Sequence, residues 1–187
     1  MKLPMPIVMC CAASLLFAQP QPPVNPDAAI QQEFQKRVAD YLKLRKTIEG
    51  PMPRLKPTAS VEKIEHHEKE LAHMIREARR AARQGDIFSL EISSEFRRLI
   101  ALAMQGQKAA QVKESLRSGE PEVRAKVHVE VNHKYPPSVP LQSTPPTLLV
   151  NLPKLPPELE YRVVGHYFVL MDAKANLILD YISNAIP

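Results

Sequence analysis

Residues 160–182 read EYRVVGHYFVLMDAKANLILDYI. Three runs rich in β-branched and aromatic residues, 160–164, 167–171 and 177–182, are separated by Gly165-His166 and by residues 172–176. The first separator is a two-residue hairpin turn whose glycine tolerates positive φ, and the second is a short polar turn. Connections this tight permit only antiparallel pairing, so the chain ends in a meander. Leu159, Tyr161, Val163, Val169, Met171, Leu177, Leu179 and Tyr181 fall at alternating positions, which predicts one buried face. A three-stranded sheet is barely stable in water by itself, so another layer must cover that face.

Moving toward the N-terminus, residues 136–157 hold eight prolines and must run as polyproline or turn, with Leu148, Leu149 and Leu152 pinning the segment to the core. Tyr135 and the prolines after it read either as an interaction face or as a cover for a sheet edge. Before them, Ala125, Val127, Val129 and Val131 alternate with Lys126, His128, Glu130 and Asn132, the pattern of a fourth half-buried strand.

The covering layer lies in the other half of the chain, where the period changes to that of a helix. Ile30, Phe34, Val38, Tyr41, Leu42, Arg45 and Ile48 recur at spacings of three and four after an Asn25-Pro26-Asp27 start, and Gly50-Pro51 stops the run. Ser60 caps a second helix with the stripe Ile64, Leu71, Ile75, Ala78 and Ala82, closed by Arg79, Arg80, Arg83 and Gly85. Ser89 and Glu91 open a third, carrying Ile92, Phe96, Leu99, Ile100 and Ala103. Ala109, Val112 and Leu116 suggest a shorter fourth helix ended by Gly119 and Pro121. The pattern predicts an α+β fold, three to four N-terminal helices packed on a small C-terminal antiparallel sheet through a proline-rich connection. Residues 27–187 form its single domain, helical over 27–119 and strand-forming over 124–187.

Residues 1–18 read as a secretory signal: Lys2, an eleven-residue apolar run from Ile7 to Phe17, then Ala18 at the cleavage position. Such a run is too short to span a bilayer, which takes about 20 apolar residues. Residues 19–26, QPQPPVNP, form an exposed tether. Both cysteines, Cys10 and Cys11, fall inside the signal, so the exported chain is expected to be free of disulfides and thiols, the alternative being an acylated cysteine. Loss of 18 residues from 187 leaves 169, enough for one domain with its own core. With no Trp, five Phe and five Tyr, that core is expected to be mostly aliphatic and Ala-based. The formal charge of +5 is interspersed with acids, without a run of four Lys/Arg, and reads as a solvated surface with no nucleic-acid partner. No transmembrane segment remains once the signal is removed.

Few residues point to chemistry. On the second helix, His66, Glu70 and His73 sit four and then three apart and share one face, a spacing that would present two imidazoles and a carboxylate to zinc, copper or nickel. The competing reading is a solvated face of mixed charge, since the His-Glu-x-x-His of zinc proteases is absent. Asp172 and Asp180 flank the last turn, where a catalytic pair competes with ordinary turn chemistry. No Gly-x-Ser-x-Gly elbow or phosphate-cradling glycine loop occurs. His128, His133 and His166 read as exposed histidines, and Arg79-Arg80 and Arg97-Arg98 as helix-surface charges with anion binding as the alternative.

Three segments, QGDIFSLEISSEFRRLI (84–100), TPPTLLVNLPKLPPELEYRVVGHYFVLMD (144–172) and ANLILDYISNAIP (175–187), resemble a family of exported proteins from soil-type bacteria. There the same Gln-Gly-Asp-Ile-Phe turn precedes a helix and a Leu-Glu-Tyr-Arg hairpin closes the chain. The resemblance implies export and carries over no catalytic residue. YRVVGHYFVLMDAKANLILDYI (161–182) is also similar to the terminal hairpin of small periplasmic proteins of nickel and cobalt homeostasis. It departs from them at Lys174-Ala175-Asn176, where a Gly-bearing turn is usual. The combined expectation is an exported, non-enzymatic envelope protein that binds a protein partner. A metal-binding accessory protein using His66, Glu70 and His73 is the alternative, and a hydrolase comes third.

Overall fold

The computed structural model describes residues 25–105, 110, 114, 129–135 and 144–186. Residues 1–24, with the expected signal and most of the tether, lie outside this set. So do most of the expected fourth helix, whose described residues Ala110 and Glu114 are helical, and residues 125–128 of the expected fourth strand.

Three long helices precede the sheet: α1 (Pro26–Glu49), α2 (Val61–Ala78) and α3 (Leu90–Ala103). Each starts where its cap predicts. Asn25 accepts the Asp27 N–H at 3.1 Å. Ser60 accepts the Lys63 N–H at 3.3 Å and donates to Glu62, and Ser89 accepts from Ile92 at 3.4 Å and donates to Glu91. A single turn, α4 (Pro146–Leu149), then leads to β1 (Leu159–Val164), β2 (Tyr167–Asp172) and β3 (Leu177–Ile182). The strands pair antiparallel in the order β1-β2-β3. Gly165 takes φ 55° in the first turn and Asn176 φ 48° in the second, the left-handed conformations that tight turns require.

Val129–Val131, expected in a strand, are coil and turn. From Asn132 (φ 64°), whose N–H donates to the Ile178 carbonyl at 2.8 Å, the chain runs beside β3 and forms an isolated bridge between Lys134 and Leu177. Ile178 donates to the His133 carbonyl there at 2.8 Å.

A bulge decides what β3 presents. Leu170 pairs with Asp180 but Met171 pairs with Ile178, so Leu179 is an extra residue. An extra residue inverts the in–out alternation beyond it. Asp180 and Ile182 therefore face the helices, while Tyr181 turns to the other face and meets Tyr167 edge-on at 5.6 Å. The sequence alternation puts Val169, Met171 and Tyr181 under the helices. The bulge corrects Tyr181, while Val169 and Met171 face away because the two-residue turn pairs Val163 with Phe168 and Tyr161 with Leu170. Their places are taken by Phe168, Leu170 and Ile182. Val169, Met171 and Ile178 instead form a second apolar cluster with Val129, Tyr135 and Val164, so the sheet is buried on both faces.

The helix-facing core is centred on rings. Four of the five phenylalanines, Phe34, Phe88, Phe96 and Phe168, join Tyr161 in one cluster with centroids 5.0–6.3 Å apart. Each contributes large apolar area and favourable ring geometry. Around these rings the core is mostly aliphatic, as composition predicts, although among the described residues alanine supplies only Ala72, Ala175 and Ala185. α1 buries Phe34, Val38, Tyr41, Arg45 and Ile48 of its expected stripe and partly buries Ile30 and Leu42. On α2 the buried residues are Leu71, Ala72 and Ile75, whereas Ile64 and Ala78 are exposed. The fold holds no disulfide, its only cysteines being Cys10 and Cys11. Among the described residues no helix is long and apolar enough to cross a membrane.

Candidate functional site

The two aspartates beside the last turn are fully buried. Asp172, at the end of β2, accepts the Tyr41 hydroxyl at 2.7 Å and the Arg45 Nε at 2.6 Å on one oxygen. Its other oxygen accepts the N–H groups of Lys174 and Ala175, closing the turn. Arg45 reaches on to Glu49 at 2.6 Å. Burial, and then the adjacent Asp172 charge, push the Tyr41 phenol well above the usual tyrosine range. Asp180 accepts N–H groups from Gly85, Ile87 and Phe88 at 2.7–3.2 Å and from its own neighbour Tyr181 at 2.8 Å. Burial raises its carboxyl above the usual range against the pull of those bonds. Each oxygen of this pair is committed to holding helices and turns onto the sheet.

Arg79 joins them. Expected on the α2 surface, it lies 9% exposed with its guanidinium 5.4 Å from the Tyr41 ring centroid. It donates to Asn132 Oδ1 at 3.1 Å and to the Leu179 carbonyl at 3.0 Å, the carbonyl of the bulge residue. Arg80 is exposed and pairs with Glu77. Arg97 reaches the Ser183 carbonyl at 3.0 Å, and Arg98 pairs with Glu95 and Asp27.

His66, Glu70 and His73 are all exposed on α2. Among the described residues, no three His, Cys, Asp or Glu side chains are placed to hold a metal ion. His133 lies 3.6 Å from Glu130 at the surface, and His166 Nδ1 lies 3.1 Å from the Ile186 carbonyl at the start of the closing segment. His128 lies outside the described residues.

A concave feature among the described residues lies at the β1 edge. Residues 149–155 bend back beside β1 and leave an open groove of about 450 Å³, within the range of small-ligand sites. Its walls are Leu149, Leu152, Pro153 and Leu155 on one side and Leu159 and Tyr161 on the other. The fold-back is held at both ends: Thr144 Oγ1 donates to the Tyr161 carbonyl at 2.7 Å, and the Tyr161 hydroxyl donates to the Pro153 carbonyl at 3.0 Å. Leu148 and Leu152 are pinned to the core as expected, but Leu149 is 39% exposed and lines the groove. Sequence reading missed this site. No periodic signal marks it, because the lining leucines come from a helical turn (Leu149), the turn after it (Leu152), an irregular stretch (Leu155) and β1 (Leu159).

Comparison of the chain with protein-family models, curated proteins and solved structures finds no match. These comparisons do not bear on the resemblances noted from sequence.

Proposed function

We propose that this is an exported, non-enzymatic binding protein of the cell envelope, and that the groove between β1 and residues 149–155 is its binding site. The observation that supports the reading most is the contrast between the two polar regions. The buried charged groups Asp172, Asp180, Arg45 and Arg79 are engaged in internal bonds and are not among the residues that line the groove. The groove is apolar, with buried Leu152 and Leu159 at its base and half-buried Leu155 beside them, and exposed Leu149 next to Val150 (80% exposed) extends the apolar area at its mouth. An apolar concavity with exposed apolar side chains at its mouth is the usual mark of a binding surface.

A neutral apolar fluorophore, N-phenyl-1-naphthylamine, tests the site. It should bind the purified protein at one saturable site, and Leu149→Asp should abolish that binding without lowering the melting temperature. Unchanged binding in the variant would remove the groove from consideration. Export is tested by the N-terminal mass of the protein recovered from the envelope or medium, which should begin at or near Gln19. A cytosolic product retaining Met1 would contradict it.

A further inference from the structure

We infer that the ligand of the β1 groove is a single-chain amphiphile with an anionic head, an inference that rests on the groove being a binding site. The groove can recognise only what its lining leaves available. Thr144 is used by the Tyr161 carbonyl and the Tyr161 hydroxyl by Pro153. Glu160 and Arg162 are paired with each other at 2.7 Å. The Leu159 N–H donates to the Pro156 carbonyl at 3.0 Å. Two consequences follow. A sugar or nucleotide, which needs several convergent donors and acceptors, finds few of them. An added peptide strand needs the outward backbone groups of β1, and the Leu159 N–H and the Tyr161 carbonyl are taken by the fold-back.

What remains is four leucines, the body of Tyr161 and one charge. Lys154 is exposed on the groove lining, and among the described residues it has no acidic partner. With Glu160 neutralised by Arg162, the lining carries a net positive charge from Lys154. An aliphatic chain matches the leucine walls, and a carboxylate or phosphate matches the ammonium. The occupant is therefore an acyl chain ending in an acid, the chemistry shared by free fatty acids and lipid-derived phosphates.

The test displaces N-phenyl-1-naphthylamine with dodecanoate, dodecyl phosphate and the neutral dodecyl maltoside, all below their micellar concentrations. Dodecanoate or dodecyl phosphate should displace the fluorophore at concentrations where dodecyl maltoside does not, and whichever is stronger identifies the head as carboxylate or phosphate. Lys154→Gln should weaken the anionic ligand about fivefold, the upper range for an exposed ion pair. It should leave fluorophore affinity unchanged, and added salt should erase the difference between the two proteins. Equal displacement by the neutral amphiphile together with an unaffected Lys154→Gln would overturn the anionic assignment while leaving the groove as an apolar site. Failure of the fluorophore to bind at all would overturn the groove reading itself, and this inference with it.

Discussion

The carboxylate of Asp180 accepts the backbone N–H of Phe88 at 2.7 Å, across 92 residues of sequence. The same oxygen takes the Ile87 N–H at 2.8 Å, and Gly85, held at φ 95°, donates beside them. One β3 side chain thus fixes the turn that launches α3 and brings Phe88 into the ring cluster.

Replacing Asp180 with Ala leaves those three N–H groups without this acceptor. Buried unsatisfied donors cost about 1–3 kcal/mol each. The melting temperature should fall by at least about 6 °C, at roughly 2–4 °C per kcal/mol for a chain of this size. Thermal unfolding followed by circular dichroism reads it. A loss under about 3 °C would mean that the turn holds itself.

Arg45 and Asp172 form a second tie, between α1 and the end of β2, 4% and 0% exposed. Removing one charge of such a pair costs about 3–5 kcal/mol, because the other remains buried. Asp172→Asn and Arg45→Met should each be strongly destabilising in urea melts. The double variant should cost less than the two added together, and simple additivity would show that the pair is not coupled.

Burial holds the phenols of Tyr41, Tyr161, Tyr135 and Tyr181 above their usual range. In the unfolded chain a tyrosine releases its proton near pH 10. Above that pH the unfolded state binds fewer protons than the folded one, so stability falls as pH rises. Phenolate absorbance should therefore lag ordinary tyrosine titration and then rise together with loss of helix signal. Smooth titration of all five tyrosines near pH 10 with the fold intact would contradict their burial.

For α2, exposure of His66, Glu70 and His73 sets the expectation for metals. Zinc, nickel or copper should leave the melting temperature unchanged, both in the protein and in the His66→Ala, His73→Ala double variant. A native-state site would raise stability by about 2.7 kcal/mol at a hundredfold excess of metal over Kd. A rise of that size, lost in the double variant, would revive the metal-binding reading.

The elements themselves were plain in the sequence. β1 and β2 each extend one residue beyond the expected run, to Leu159 and Asp172, and the α1 stripe faces the core along its length, with Ile30 and Leu42 partly buried. Local period and caps suffice there, because each element obeys its own pattern. What escaped depends on contacts between distant segments. No local signal marks Leu179 as a bulge residue, yet the bulge sets the facing of Asp180 and Tyr181. A basic residue ending a helix matches the dipole whether or not it is buried, so Arg79 looked like a surface charge. The groove exists only because residues 149–155 return to β1, a path fixed by the bonds of Thr144 and Tyr161.

Methyl-resolved NMR of the protein titrated with N-phenyl-1-naphthylamine tests the central claim most directly. The account predicts shifts concentrated at Leu149, Leu152, Leu155 and Leu159, with the exposed α2 methyls of Val61 and Ile64 unmoved. Shifts centred on α2, or spread evenly over the exposed apolar residues, would contradict the assignment of the β1 groove as the binding site.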